Sequence, residues 1–207
     1  RVMGDTPINL ASPEDRSKLL FSRGVKNKKT WAQTFNLGYE VRGNARKPKR
    51  RTPMSDTQFK RAVANNTIIQ YRTEATRCTV CSGYGRVSKK RKDGTWGKAR
   101  YICKSCGGVG IKYMPTNQVA GFKLSPISIM SCSTQGFKTD ADALSLYRER
   151  GNEQAFTFIE RYLRYNAIKT YLKTFVEGIE KNLDYNDRIH PQFMQCVTST
   201  GRLSSRS

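Results

Sequence analysis

The chain has 207 residues, enough for one large domain or two small ones, and its 37% apolar content is compatible with a core. Lys and Arg number 38 against 16 Asp and Glu, a formal net charge of +22, so an anionic partner is expected: nucleic acid first, ahead of a membrane surface or a merely solvated basic face. No apolar run approaches the roughly 20 residues that span a bilayer, and RVMGDTPINL has no signal-peptide apolar core, so the expectation is a soluble, intracellular (cytoplasmic) protein.

Residues 8–23 read as a turn and a short helix, with Ser12 at the N-cap, Pro13 at N1 and Glu14 and Asp15 in the first turn. Gly24 is expected to end that helix. The stretch RGNARKPKRR, residues 42–51, carries six positive charges and no negative one. Such a block behaves as a mobile arm or an anion-binding loop; phosphate contact through Arg50 and Arg51 is the reading favoured over a solvated linker. Residues 55–66 then read as a brief helix and 67–77 as a strand.

Four of the six cysteines form CTVC (78–81) and CKSC (103–106), with 21 residues between the pairs. Two residues between cysteines let both thiolates reach one cation, and a second such pair completes a tetrahedral sulfur site. Cys78, Cys81, Cys103 and Cys106 are therefore expected to bind structural zinc; a disulfide or redox pair is the competing reading. No histidine joins the set, so an open catalytic position is not indicated. Glycines follow each pair, in SGYG and GGVG, as positive-φ knuckles require. The run KKRK (89–92), Trp96 and Tyr101 fill the arm between, which reads as a β-hairpin with its tip near Gly94 and Thr95.

Residues 122–138 read as irregular with short strands. Thr139 with Asp142 reads as a capping-box variant opening a helix through Arg150, with Gly151 past its end. A second, long helix is expected from about Asn152 to Asn182, because Phe156, Ile159, Leu163, Ile168, Leu172, Phe175, Val176 and Ile179 recur at three- and four-residue steps. Arg161, Arg164, Lys169 and Lys173 flank that stripe, either as a solvated face or along a nucleic-acid backbone. The remainder reads as strand and loop. Cys132 and Cys196 read as buried thiols and His190 as structural.

Both CTVCSGYG and CKSCGGVG resemble the CxxCxGxG unit of the DnaJ-type co-chaperone zinc finger. That family usually carries four such units, this chain has two, and no J domain is present. The likeness therefore implies the zinc fold rather than chaperone function.

A second resemblance lies in IHPQFMQCVTSTGRLSSRS, residues 189–207, which is similar to a signature of family A (DNA polymerase I type) DNA polymerases. There a strand with IH, then Q, then T-x-TGRLSS leads towards the palm. His190, Gln195, Thr198, Thr200, Gly201, Arg202, Leu203, Ser204 and Ser205 fall on the matching positions. INLASPEDRSKLLF resembles the family's FNLNSPKQLGEVLF segment, and the stretch from Phe137 to Ile179 resembles its TSADVL motif and long thumb helix. The resemblance skips residues from about 25 to 121, which read as an insertion.

What the resemblance implies is an α+β fold, a mainly helical polymerase thumb with a small β-hairpin zinc-binding insertion. The expected parts are 1–24 (start of the thumb and palm region), 25–77 (basic insertion and linker), 78–112 (zinc-binding insertion), 113–138 (connector), 139–184 (thumb helices) and 185–207 (strand and TGRLSS loop). It implies primer-template DNA as partner, with other replication proteins as further candidates. Arg202 is expected at the minor groove, where equivalent acceptors on every base pair let one arginine test geometry without reading identity. Thr200, Gly201, Ser204, Ser205, Gln195, Lys169 and Lys173 would add contacts. The family's aspartate motifs, which hold catalytic Mg2+, do not occur here. The expectation is thus a fragment, beginning at Arg1 rather than Met and stopping at Ser207, of a DNA replication enzyme, with a phage type among the candidates, and inactive alone. A stand-alone zinc-ribbon nucleic-acid-binding module and a co-chaperone-like peptide binder are the alternatives.

Overall fold

A computed structural model describes residues 2–42, 45–48, 54–148, 152–190, 192–194 and 204–206. The architecture is α+β: helices and, among the described residues, six two-stranded antiparallel sheets. The chain divides into two units, Arg1–Ala155 and Phe156–Ser207. Among the described residues no helix is long and apolar enough to cross a membrane.

The first unit opens with α1, Pro13–Phe21, whose Ser12 side chain accepts from the Asp15 N–H as the sequence leads one to expect. The helix ends two positions earlier than the Gly24 reading, because Ser22 itself turns left-handed at φ 56° and closes the cap onto the Lys18 carbonyl. Gly24 instead lies in β1, Arg23–Val25. α2, Lys28–Thr34, is capped by Asn27, whose side chain accepts from the Lys29 and Thr30 N–H groups. Part of the basic block is extended: β2, Tyr39–Arg42, pairs with β3, Ala45–Pro48. α3, Asp56–Asn66, starts on a capping box between Ser55 and Gln58.

Residues 67–77, expected as one strand, form two. β4, Thr67–Ile69, pairs with β1, whereas β5, Tyr71–Arg77, pairs with a later strand. Gln70 is the break: its N–H donates to Ser22 and its carbonyl accepts from Ala120. The hairpin β6, Arg86–Lys90, and β7, Trp96–Ile102, follows, then β8, Ile111–Val119, which returns along β5. The short strands expected within 122–138 are β9, Cys132–Ser133, and β10, Gly136–Phe137.

The core of this unit is aromatic. Phe21 packs against Phe137 and Tyr147 with ring centroids 4.5 and 5.3 Å apart. Trp31 meets Phe35 at 4.7 Å and Phe137 at 5.3 Å, and Phe35 reaches Phe59 at 5.9 Å. The indole N–H of Trp31 donates to the Ser133 carbonyl at 2.6 Å, satisfying the one polar atom a buried tryptophan brings with it. Residues from the stretch read as insertion and linker therefore help to build the core, together with both segments flanking it.

The helix expected from Thr139 is shorter than read. α4 spans Ala141–Ser145, its N-cap is Asp140, which accepts from the Ala143 N–H, and Thr139 is buried with its hydroxyl accepting from Arg16 Nε at 3.1 Å. The long helix is present over nearly the expected span: α5, Glu153–Tyr171, a π-helical stretch Leu172–Val176, and α6, Glu177–Asn182. Its apolar stripe, however, splits. Ile159 is buried and Phe156 and Leu163 are half-buried, while Ile168, Leu172, Phe175, Val176 and Ile179 are exposed. Beyond it β11, Gln192–Met194, pairs with β12, Ser204–Arg206.

Candidate functional site

β5 and β8 form a two-stranded stalk whose last rung, Arg77↔Ile111, delivers the chain into the cysteine unit. There the sequence repeat becomes a structural one at an offset of 25 positions, Cys78 against Cys103 and Cys81 against Cys106. The Cys78 N–H donates to the Gly110 carbonyl and the Cys103 N–H to the Gly85 carbonyl, each at 2.9 Å. Gly85 N–H donates to Cys81 Sγ at 3.3 Å and Gly110 N–H to Cys106 Sγ at 3.2 Å. Each knuckle thus anchors its neighbour's backbone and points an amide at its own second sulfur.

The glycines are required by this crossing. A Cβ on Gly85, at φ +71°, would sit 2.0 Å from the Gly108 carbonyl oxygen; one on Gly110, at φ +82°, would sit 2.2 Å from that of Gly83. No side chain fits at either place, and the left-handed backbone excludes one independently.

The four Sγ atoms all lie within 4.8 Å of one another, with Cys78 to Cys103 at 4.0 Å and Cys81 to Cys106 at 3.7 Å. A zinc ion with four sulfurs at about 2.3 Å sets the edges of its tetrahedron at about 3.8 Å. The donor set and its spacing fit such an ion, so these cysteines can hold a metal. Cys78, Cys81 and Cys103 are buried, Cys106 half-buried, and all four are free thiols. Donation from the Cys81 backbone N–H holds the Cys78 thiol down at about 6, whereas burial pushes Cys81 up to about 11. At Cys106 burial acts upward, but the Gly110 and Gly108 amides prevail and lower it. A bound cation would favour the thiolate at all four positions.

The sequence-predicted DNA contacts are more dispersed. Lys169 and Lys173 lie on the long helical run and are exposed, with Lys169 Nζ 5.9 Å from the centroid of the Tyr165 ring. Ser204 and Ser205 lie on β12, opposite Met194 and Phe193. Arg50, Arg51, Gln195, Thr200, Gly201 and Arg202 fall outside the described residues, as does Cys196. Cys132 is fully buried. His190 is exposed, and its Nε2 lies 2.7 Å from Asp184 Oδ2. Asp184 is the group that sequence reasoning misses: its carboxylate also accepts from the Asn186 and Arg188 N–H groups at 2.8 and 2.9 Å. The available signal is an Asp placed two residues past a helix end and ahead of an Asn-Asp pair.

Fold and centre together define an α+β protein with a tetracysteine cluster, suited to a metal, at the end of a two-stranded stalk. The particular kinship comes from comparison with known proteins. Residues 117–207 match the family model described as DNA polymerase family A. DNA polymerase I of Treponema pallidum (strain Nichols) is 32% identical over 75 residues, covering 36% of this chain and 7% of that protein. DNA polymerase I of Mycobacterium tuberculosis (strain ATCC 25618 / H37Rv) is 39% identical over 71 residues, 34% of this chain and 7% of that protein. The matched stretch is thus 7% of the length of these curated relatives. No solved structure matches. These matches support a part of a family A DNA polymerase; the family match begins after the metal site and does not reach residues 8–21.

Proposed function

We propose that this chain is part of a template-directed DNA polymerase of family A, and that its residues 139–207 grip the primer-template duplex. The family match over residues 117–207 carries this reading. It is supported by packing: Phe21, from one stretch that resembles the polymerase pattern, packs against Phe137 and Tyr147 from the other, as expected if residues between them were inserted into an older unit.

In this reading Arg202 enters the minor groove near the primer terminus, with Thr200, Gly201, Gln195, Ser204 and Ser205 around it, and Lys169 and Lys173 reach phosphates. The cysteine centre holds zinc as a staple rather than a reactant. It keeps the basic stalk folded, and with Arg50 and Arg51 the insertion adds phosphate contacts that slow dissociation. Extension of a primer from deoxynucleoside triphosphates, with Mg2+, belongs to the whole enzyme; this chain alone binds without extending.

The test is binding to a labelled primer-template across a salt series. Lys169→Ala with Lys173→Ala should reduce the slope of log affinity against log salt by about 1.8, at about 0.9 for each phosphate no longer neutralised. Arg202→Ala should weaken binding while changing the slope by no more than about 0.9. Affinity indifferent to both changes would sink the reading in favour of a stand-alone zinc-ribbon module.

A further inference from the structure

The β6–β7 hairpin has two faces of different character. Its pairing is Arg86↔Ile102, Val87↔Tyr101, Ser88↔Arg100 and Lys90↔Trp96, with an irregularity between Ser88 and Lys90. Paired residues share a face, and alternate residues of a strand return to it. Arg86, Ile102, Ser88 and Arg100 therefore lie on one side; the extra residues of the irregularity fall on β7, so Lys90 follows Ser88 on that side along β6 and its partner Trp96 shares it. Val87, Lys89 and Tyr101 lie on the other, where Lys89 Nζ sits 4.7 Å from the Tyr101 ring centroid and covers it.

On the first face, among the described residues, no cation or ring packs over Trp96 as Lys89 does over Tyr101. Trp96 is 68% exposed and Ile102 64% exposed, and the cations Arg86, Lys90 and Arg100 beside them are exposed too. Residues 78–112 hold nine Lys and Arg against a single acid, Asp93, so the surroundings favour a polyanion over an apolar or cationic peptide. An uncovered aromatic interleaved with cations is the arrangement on which unpaired bases stack while their phosphates are neutralised. A duplex keeps its base faces buried and would leave Trp96 idle.

We propose that this face is a binding platform for single-stranded nucleic acid, with Trp96 stacking a base and Arg86, Lys90 and Arg100 holding the phosphates that flank it. The platform deepens the proposed role of the insertion in DNA affinity and rests on that part of the reading, not on the polymerase assignment.

The chain carries its own reporter. Of its two tryptophans, Trp31 is fully buried, so a change in indole emission on titration belongs to Trp96. Oligothymidylate added to the zinc-loaded chain should quench that emission. Trp96→Ala, which removes the reporter and is therefore followed by anisotropy of a labelled oligothymidylate, should weaken binding by about tenfold, the loss of one stacked base. Lys90→Glu with Arg100→Glu should weaken it further and flatten the salt dependence, and circular dichroism should show both variants folded, since all three side chains are exposed. If oligothymidylate leaves the emission unchanged while blunt duplex still binds, the platform is wrong and the insertion's contact with DNA stands. If neither binds, or if an acidic peptide quenches as well as the oligonucleotide, the nucleic-acid reading of the insertion falls with it.

Discussion

Trp31 and Phe137 meet edge to face, ring centroids 5.3 Å apart and planes at 89°, although one lies in the stretch read as an insertion and the other in the segment that resumes after it. The contact brings Trp31, and with it Phe35 and Phe59 of the same stretch, into the core. Trp31→Ala should lower the unfolding free energy by about 3–5 kcal/mol, the usual loss for emptying a large buried aromatic site. Trp31→Phe should lose less but still leave the Ser133 carbonyl without its donor, at about 1–3 kcal/mol. Urea unfolding followed by far-UV circular dichroism measures both, and a Trp31→Ala loss below about 1 kcal/mol would contradict the packing described.

How much of this is legible in the sequence differs by element. The cap at Ser12, the helix over 55–66 and the run over 152–182 are written in local chemistry, a hydroxyl before a helix or an apolar period, and the structure matches them nearly to the residue. The cysteine centre is legible because the CxxC spacing and the following glycines leave the backbone few alternatives. What escapes depends on distant partners. α2 has no strong apolar period of its own and is held by Trp31 and Phe35 packing on residues far along the chain. β8 contains Pro115 and no clean alternation, and is a strand because β5 is there to pair with it. Charge density likewise conceals the β2–β3 pairing inside the basic block.

Gly85 separates close approach from backbone strain. Gly85 and Gly107 both adopt left-handed backbones, φ +71° and +62°, but a Cβ on Gly107 would meet nothing within 4 Å. Gly107→Ala should therefore cost about 1 kcal/mol from conformation alone and retain the metal. Gly85→Ala must push the Gly108 carbonyl aside, separating the knuckles, and should reduce metal affinity by more than about tenfold. Competition with a chromophoric chelator reads both; equal affinities for the two variants would mean that the crossing is not what positions the sulfurs.

Metal removal should act locally. A strong chelator should collapse the amide signals of residues 78–85 and 103–110, where the Cys78, Cys81, Cys103 and Cys106 knuckles depend on the ion, and leave the buried Trp31 emission in place. Acid should do the same. The ion binds thiolates, so each proton returned to sulfur opposes it. Even Cys78, held at about 6 by the Cys81 amide, protonates below that value, and Cys81, at about 11, needs the metal to ionise near neutrality. Affinity should fall steadily from about pH 8 to about pH 5, with proton release on metal addition measurable by calorimetry in buffers of different ionisation enthalpy. A pH-independent affinity would exclude thiolate ligation.

Asp184 should govern the turn between the long helix and β11. Its carboxylate holds His190 Nε2 at 2.7 Å and accepts from the Arg188 and Asn186 amides, and these contacts, His190 first, keep its carboxyl below the usual range. Because the folded value is the depressed one, the contribution is present above the ordinary carboxylate range and is lost as pH falls through the lowered value. Asp184→Ala should speed hydrogen exchange of the Asn186 and Arg188 amides at neutral pH. Asp184→Asn, which keeps an accepting oxygen but no charge, should fall between Ala and the parent chain. In the parent the same two amides should become faster only under acid, relative to the intrinsic exchange rate. The measurement is amide exchange by NMR at two pH values. Equal protection in Asp184→Ala and the parent would show that the turn is held by its backbone bonds, Asp184 N–H to the Arg188 carbonyl and Asp187 N–H to the Asp184 carbonyl, and by the Leu183↔Ile189 bridge.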